Sequence, residues 1–114
     1  MSDLTLHIDE LPGAPAGIHV LRLAGPLTLP NVYGFRCKVR ADDSRMLILD
    51  FTTVTWADSA GIGALVEVYV NRQKNGRSLG LVGVNPRIHR AMAETHVDAL
   101  FHFYETVAEA EQAA

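Results

Sequence analysis

The sequence predicts an α/β fold in which a mixed central sheet of about five strands is covered by about four helices. An alternating apolar pattern followed by a stretch rich in Pro and Gly indicates an N-terminal hairpin. Beyond the hairpin, short apolar runs alternate with segments of helical periodicity, which favours parallel strands joined by right-handed crossovers. No shift in composition divides the 114 residues, so we expect residues 1–114 to form a single domain.

The predicted hairpin begins with Leu4, Leu6 and Ile8, which alternate with polar residues as in a half-buried strand. Residues 11–17 are rich in Pro and Gly and predict a turn. The apolar residues within 18–23 predict the second strand, and the short connection favours an antiparallel pair.

A first helix is predicted after Gly25. Thr28 can act as its N-cap, and Pro30 fits its first turn because the N–H that proline lacks has no helical partner there. The apolar face of this helix comprises Val32, Phe35 and Val39. A continuous apolar run at residues 46–49 then predicts a central strand that is buried on both faces.

The clearest helix follows a loop that we predict over residues 52–58. Its core face comprises Ile62, Leu65, Val66, Tyr69 and Gln73. Asn75 and Gly76 end this helix, because Gly readily adopts the left-handed conformation of a helix C-terminus.

The last third of the chain repeats the alternation of strand and helix. Residues 79–84 predict a buried strand, and Asn85-Pro86 begins a helix whose apolar face carries Ile88 and Met92. Residues 101–104 predict the final strand. Thr106 and Glu109 then have the spacing of a capping box and precede an Ala-rich helix.

Charge and cysteine content exclude several classes of protein. The net charge is -3, so the chain as a whole has no attraction for nucleic acid or an anionic membrane, which leaves room only for a local basic patch. No apolar stretch approaches the ~20 residues of a membrane helix. The single cysteine, Cys37, rules out an internal disulfide, and the five histidines form no metal-ligand pair. No signal peptide is visible, and we expect a cytoplasmic protein without a metal or cofactor.

The segment of residues 56–63 places an acid, a hydroxyl and two glycines between a buried strand and a helix. Helix starts expose unpaired N–H groups and carry partial positive charge, so a phosphate on Ser59 can be accommodated there. Alternatively, Asp58 or Ser59 merely caps the helix. The glycines of this segment do not complete a dinucleotide-binding fingerprint, because the third glycine is missing. Ser59 is not in a nucleophile elbow, because no glycine stands two residues before it.

The run from Asp58 to Gly63, Asp-Ser-Ala-Gly-Ile-Gly, resembles the Asp-Ser-x-Gly-Leu/Ile signature of the STAS family, which includes bacterial anti-sigma factor antagonists. Residues 25–27, residues 46–51 with Val54, and residues 81–86 resemble other segments of the family. The resemblance therefore covers nearly the whole chain and implies the STAS fold.

The resemblance implies that Ser59 is a phosphoacceptor and that the protein has no catalytic residues of its own. The unphosphorylated protein would bind an anti-sigma factor, often a serine kinase, and so regulate sigma-factor-dependent transcription. Phosphorylation would break this binding and a phosphatase would restore it. Whether the protein also forms a homodimer stays open.

Two features leave alternatives open. The family commonly has Gly-Glu-Leu-Asp where this chain has Gly25-Pro26-Leu27-Thr28, so two acids are missing near the phosphoacceptor. Some STAS proteins are instead accessory subunits of lipid-transport complexes. A third alternative is a domain that binds a nucleotide or another small ligand through the loop around Asp58 and Gly63.

The helix after Ser59 has a weakly apolar face opposite its predicted core face, and this face is a candidate protein-binding patch. The alternative is that its Ala and Val residues are ordinary surface residues. The predicted partner-binding residues are Asp58, Ser59, Ala60, Gly61, Ala64, Glu67, Val68 and Asn71.

Overall fold

The computed structural model describes residues 4–114 and contains a five-stranded sheet with helices on both faces. The strands are β1 (His7–Pro12), β2 (Ile18–Leu27), β3 (Met46–Ala57), β4 (Ser78–Val82) and β5 (Phe103–Tyr104). The helices are α1 (Leu29–Arg40), α2 (Ser59–Lys74), α3 (Pro86–Glu94) and α4 (Val107–Gln112), with a 3-10 turn at Asp98–Leu100.

The strands lie in the sheet in chain order, β1-β2-β3-β4-β5. The first pair is antiparallel and the other pairs are parallel, which confirms the predicted mixed sheet. Strand β3 lies at the centre, and the four side chains of residues 46–49 are all buried. A strand with neighbours on both sides and helices on both faces has no polar surface to present, which explains the continuous apolar run.

Two apolar clusters hold the layers together. Helices α1, α2 and α3 contribute Phe35, Leu65 and Met92 to the larger cluster, on the face of β3 that carries Leu47 and Leu49. Helix α4 covers the other face. The second cluster comprises Ile18, Val20, Met46, Ile48, Val82 and Ala110.

Several predicted strand boundaries were wrong, those of β1 and β3 among them. Strand β1 begins only at His7, so Leu4 and Leu6 precede it, and it continues through Pro12, which pairs with His19. The predicted loop over residues 52–58 is mostly strand, because β3 runs on to Ala57 beside an equally long β2. Pairing between the two strands satisfies the backbone groups of a Thr-rich segment that lacks a clear apolar pattern.

The predicted helix ends are largely confirmed. Val32, Phe35 and Val39 are the buried residues of α1, and α2 ends with Asn75 at the C-cap and Gly76 at a φ of 68°. The Asn85 side chain caps α3 by accepting from the Ile88 N–H at 2.9 Å. These local signals specify helix ends without tertiary help, because the bonds they make span only a few residues.

Candidate functional site

Three helices begin along one edge of the sheet. Strands β2, β3 and β4 are parallel neighbours, and each leads within a few residues into α1, α2 and α3 respectively. The carboxyl ends of parallel strands meet at the same edge, so the three helix N-termini gather there with α2 in the middle. The partial positive charge of these helix starts makes this edge favourable for an anion.

Asp58 connects two of these helices. One carboxylate oxygen, Oδ1, accepts from the Gly61 N–H at 2.9 Å and so caps α2. The other, Oδ2, accepts from the N–H of Leu29, the first residue of α1, at 3.0 Å. Thr28 occupies the N-cap position of α1 as predicted, but its side chain makes no capping hydrogen bond. Asp58 supplies the acceptor that was predicted to come from Thr28.

Ser59 is the first residue of α2 and is exposed. Within residues 4–114 its hydroxyl has no hydrogen-bond partner, so the oxygen is accessible to another protein. A phosphate there would lie within the first turn of α2, where unpaired N–H groups and the helix dipole stabilise negative charge.

Gly61 allows α2 to approach the end of β2. A Cβ at this position would collide with the Leu27 carbonyl oxygen and would lie 2.9 Å from the carbonyl carbon. The same carbonyl accepts from the Asp58 N–H at 3.3 Å. Gly63, two residues further on, is exposed, and a Cβ there would meet nothing within 4 Å. The first glycine is therefore required by packing, and the second leaves an open surface.

The structure corrects part of the predicted partner-binding surface. Ala64 is 0% exposed and Val68 is 5% exposed, so both belong to the core. Helix α2 packs against the sheet and also against α1, and this second contact buries the side of α2 that was predicted to face solvent. On the predicted core face, Val66 and Tyr69 are only half-buried and Gln73 is exposed.

The other predicted binding residues lie at the surface or close beneath it. Ser59 is exposed at the start of α2, Asp58 and Ala60 are half-buried beside it, and Gly61 is buried. Glu67 and Asn71 are exposed about two and three turns further along α2. Of the eight predicted residues, the four at positions 58–61 thus lie together at the first turn of α2, whereas Glu67 and Asn71 lie further along the same helix.

Two exposed apolar side chains near Ser59 were missed. Leu29 is 69% exposed and Tyr33 is 78% exposed, and they lie one turn apart on α1. Their spacing continues to Arg36, which bonds Glu67 of α2 at 2.7 and 3.0 Å, so all three share the side of α1 that borders α2. The sequence does contain a signal for this surface, because Leu29 and Tyr33 are four residues apart and lie outside the apolar face that carries Val32 and Phe35.

The turn before α1 is held together by an amide side chain. Asn31 Nδ2 donates to the carbonyl oxygens of Pro26 at 2.8 Å and Leu4 at 3.0 Å. Pro26 is buried. The turn that lacks the two acids common in the family therefore has its own polar contacts.

The end of β3 also contacts the start of α3 at this edge of the sheet. The Asn85 side chain donates to the carbonyl oxygens of Val54 and Thr55, each at 3.1 Å. The Arg87 guanidinium lies 5.5 Å from the centre of the Trp56 ring. These contacts attach the start of α3 to the last residues before Asp58.

The chain belongs to the STAS family, because the STAS domain profile matches residues 13–110. Its fold is similar to that of an anti-sigma factor antagonist from Mycobacterium paratuberculosis, with a TM-score of 0.83 and 22% identity over 95% of this chain and 92% of the other. It is also similar to the phosphorylated form of the Bacillus cell fate determinant SpoIIAA, with a TM-score of 0.72 and 14% identity over 95% and 100% of the chains.

The same fold occurs within a much larger transport protein. The murine anion transporter Slc26a9 matches at a TM-score of 0.73 and 23% identity, over 86% of this chain and 18% of the transporter. Within residues 4–114 no helix is both long and apolar enough to span a bilayer. Similarity at these identities establishes a shared fold.

Proposed function

We propose that the protein is an anti-sigma factor antagonist that binds an anti-sigma factor through the surface around unphosphorylated Ser59. The single observation that carries this proposal is the exposed Ser59 hydroxyl at the start of α2, beside the exposed apolar side chains of Leu29 and Tyr33. Structural similarity to proteins described as anti-sigma factor antagonists supports it.

The proposed binding surface differs from the one that the sequence predicts. It comprises Leu29 and Tyr33 of α1 with Ser59, Ala60 and Gly63 of α2, and it extends along α2 to Glu67 and Asn71. Tyrosine is enriched among the few residues that carry most of the binding energy in protein interfaces, and the exposed Gly63 leaves room for a partner side chain. Ala64 and Val68 have no part in this surface, because they are buried.

Phosphate acts on the interface and leaves the fold intact. In the free protein, the added charge of about -1.5 to -2 faces the positive end of α2 and water. In the complex it would enter a surface shaped for a hydroxyl between apolar side chains, where an unpaired charge costs several kcal/mol. Binding is therefore lost on phosphorylation. The partner is an anti-sigma factor with serine kinase activity, a phosphatase reverses the reaction, and the protein itself catalyses neither step.

The decisive experiment combines mass spectrometry with partner capture. Intact-mass measurement and peptide mapping of the protein from its own cells should find phosphate on Ser59, and the unphosphorylated form should capture a kinase-like anti-sigma factor. Ser78, an exposed serine at the start of β4, provides the control as Ser78→Ala. Equal capture by phosphorylated and unphosphorylated protein would contradict the switch.

A second candidate is a constitutive accessory subunit of a membrane transport complex. The occurrence of the fold within an anion transporter and the absence of acids in the turn at Pro26 favour it. In that case the capture experiment would return a transporter ATPase, and phosphate on Ser59 would be absent.

A further inference from the structure

A half-open cavity of about 360 Å³ lies between the C-terminal halves of α1 and α2. We call it the α1–α2 groove. Its two walls are helix stripes at spacings of three and four residues, which places their side chains face to face. The stripes comprise Arg36, Val39 and Arg40 of α1, and Glu67, Val70, Asn71 and Lys74 of α2. Val66 and Val68 also line the groove, so four valines form an apolar strip within it, of which Val66 and Val70 are the more accessible.

The groove is strongly positive although the chain is acidic overall. Its cations are Arg36, Arg40, Arg72, Lys74 and Arg77. Its two carboxylates are both engaged. Glu67 forms a bidentate pair with Arg36, and Asp42 accepts from Ser44 and lies 2.9 Å from His19 Nδ1.

Three of the cations are left without a counter-charge. Among residues 4–114, Arg40, Lys74 and Arg77 form no ion pair. Arg72 is buried, pairs with Asp42 at 3.6 Å and donates to the carbonyl oxygens of Ser44 and Ser78. Burial lowers the pKa of the Arg72 guanidinium, and the charge of Arg77 lowers it further, although Asp42 opposes both effects.

Complementing the helix dipoles does not account for this arrangement. Arg40 and Lys74 lie in the last turns of their helices, where a cation is favourable. Arg77 lies beyond the end of α2, and Val70 is 53% exposed beside the charged groups. The helix dipoles explain neither the third cation, Arg77, nor the exposed apolar side chain of Val70. A ligand with a negative group and an apolar body would use both.

We propose that the α1–α2 groove binds a small organic anion, in which a carboxylate or phosphate is attached to an apolar body. Arg40, Lys74 and Arg77 hold the negative group, and the apolar body lies on the valine strip. The volume falls within the range of about 300–1,000 Å³ that is common for small-ligand sites. Lys74 lies about 22 Å along α2 from Ser59 at 1.5 Å per residue, so the site is separate from the phosphoacceptor.

The test is an NMR titration of the full chain with hexyl phosphate, compared with inorganic phosphate and hexanol. We expect saturable shifts confined to residues of the groove. Hexyl phosphate should bind at least about tenfold more tightly than inorganic phosphate, because only it also buries apolar surface. Absence of saturable shifts, shifts elsewhere, or equal affinity for hexyl phosphate and inorganic phosphate would overturn the proposal.

Variants test separately the cations that hold the negative group and the valines that contact the apolar body. Arg40→Gln with Arg77→Gln should weaken binding of hexyl phosphate by about tenfold or more, since two charge-assisted contacts are lost. Arg90→Gln, at an exposed arginine of α3 outside the groove, is the matched control and should bind as the wild type does. Val70→Ser should weaken binding of hexyl phosphate and leave that of inorganic phosphate unchanged. Unchanged affinity for hexyl phosphate in the double variant or in Val70→Ser would refute the assignment.

Discussion

The Asp58 carboxylate accepts a hydrogen bond from the Leu29 N–H at 3.0 Å, and this one contact joins the first turns of α1 and α2. The two residues are far apart in the sequence and meet because β2 and β3 end side by side. The contact fixes the backbone of Leu29 next to Ser59. The apolar side chain and the proposed phosphoacceptor therefore share one surface.

Loss of the Asp58 side chain should destabilise the fold. Asp58→Ala removes the cap of α2 and the acceptor for Leu29, and a cap alone contributes about 1 kcal/mol. We expect a loss of about 1–3 kcal/mol in urea unfolding, with partial recovery in Asp58→Asn, which keeps one acceptor oxygen. Asp43→Ala, at an exposed aspartate without an ion pair among residues 4–114, is the control and should change stability by less than about 0.5 kcal/mol.

The two glycines of α2 should respond oppositely to alanine. Gly61→Ala places a methyl group against the Leu27 carbonyl and should cost several kcal/mol or prevent folding. Gly63→Ala enters open space within a helix and should leave stability unchanged or raise it by up to about 1 kcal/mol. Thermal unfolding of both variants measures the difference. Equal effects would show that α2 does not approach β2 as described.

Core and surface positions of α2 can be separated by truncation. Leu65 is fully buried, so Leu65→Ala should cost about 2–5 kcal/mol in chemical unfolding. Val70→Ala removes methyl groups from a side chain that is half in water and should cost less than about 1 kcal/mol. A small cost for Leu65→Ala would mean that it is not a core residue.

Lowering the pH should remove the contribution of ionised Asp42 to the stability of the fold. Burial favours the neutral carboxyl, but hydrogen bonds from Ser44 and His19 outweigh it and hold the pKa below 3.8. A lowered pKa in the folded state means that ionised Asp42 stabilises the fold above about pH 4 and that this stabilisation is lost as the pH falls further. Asp42→Asn should therefore be less stable than the wild type at pH 7, and the gap should shrink towards pH 2. A gap that is independent of pH would contradict this assignment.

Charge at Ser59 should affect binding far more than folding. Ser59→Asp should leave the thermal midpoint nearly unchanged, because the helix dipole tolerates the charge, and should weaken partner binding by about tenfold or more. Ser59→Ala should retain binding and be insensitive to the kinase. Tyr33→Ala should weaken binding without any phosphate and with little change in stability. Calorimetric titration against the captured partner provides all three affinities.

The sequence by itself determined the order of elements and the place of Ser59 at the start of α2. The apolar run at residues 46–49 predicts the central strand because a strand buried on both faces has no polar positions. The caps at Asp58, Asn85 and Thr106 were readable because each bonds a residue three positions away. Ser59 follows from the same local pattern, as the residue after a cap.

Only the tertiary structure decided which residues surround Ser59. Ala64 and Val68 are buried because α1 packs beside α2, and helical periodicity within α2 carries no information about that second neighbour. The end of β3 is a strand because β2 is there to pair with it. Leu29 reaches Asp58 for the same reason. Contacts between segments distant in the chain depend on how whole elements pack, and a local pattern of residues does not encode this.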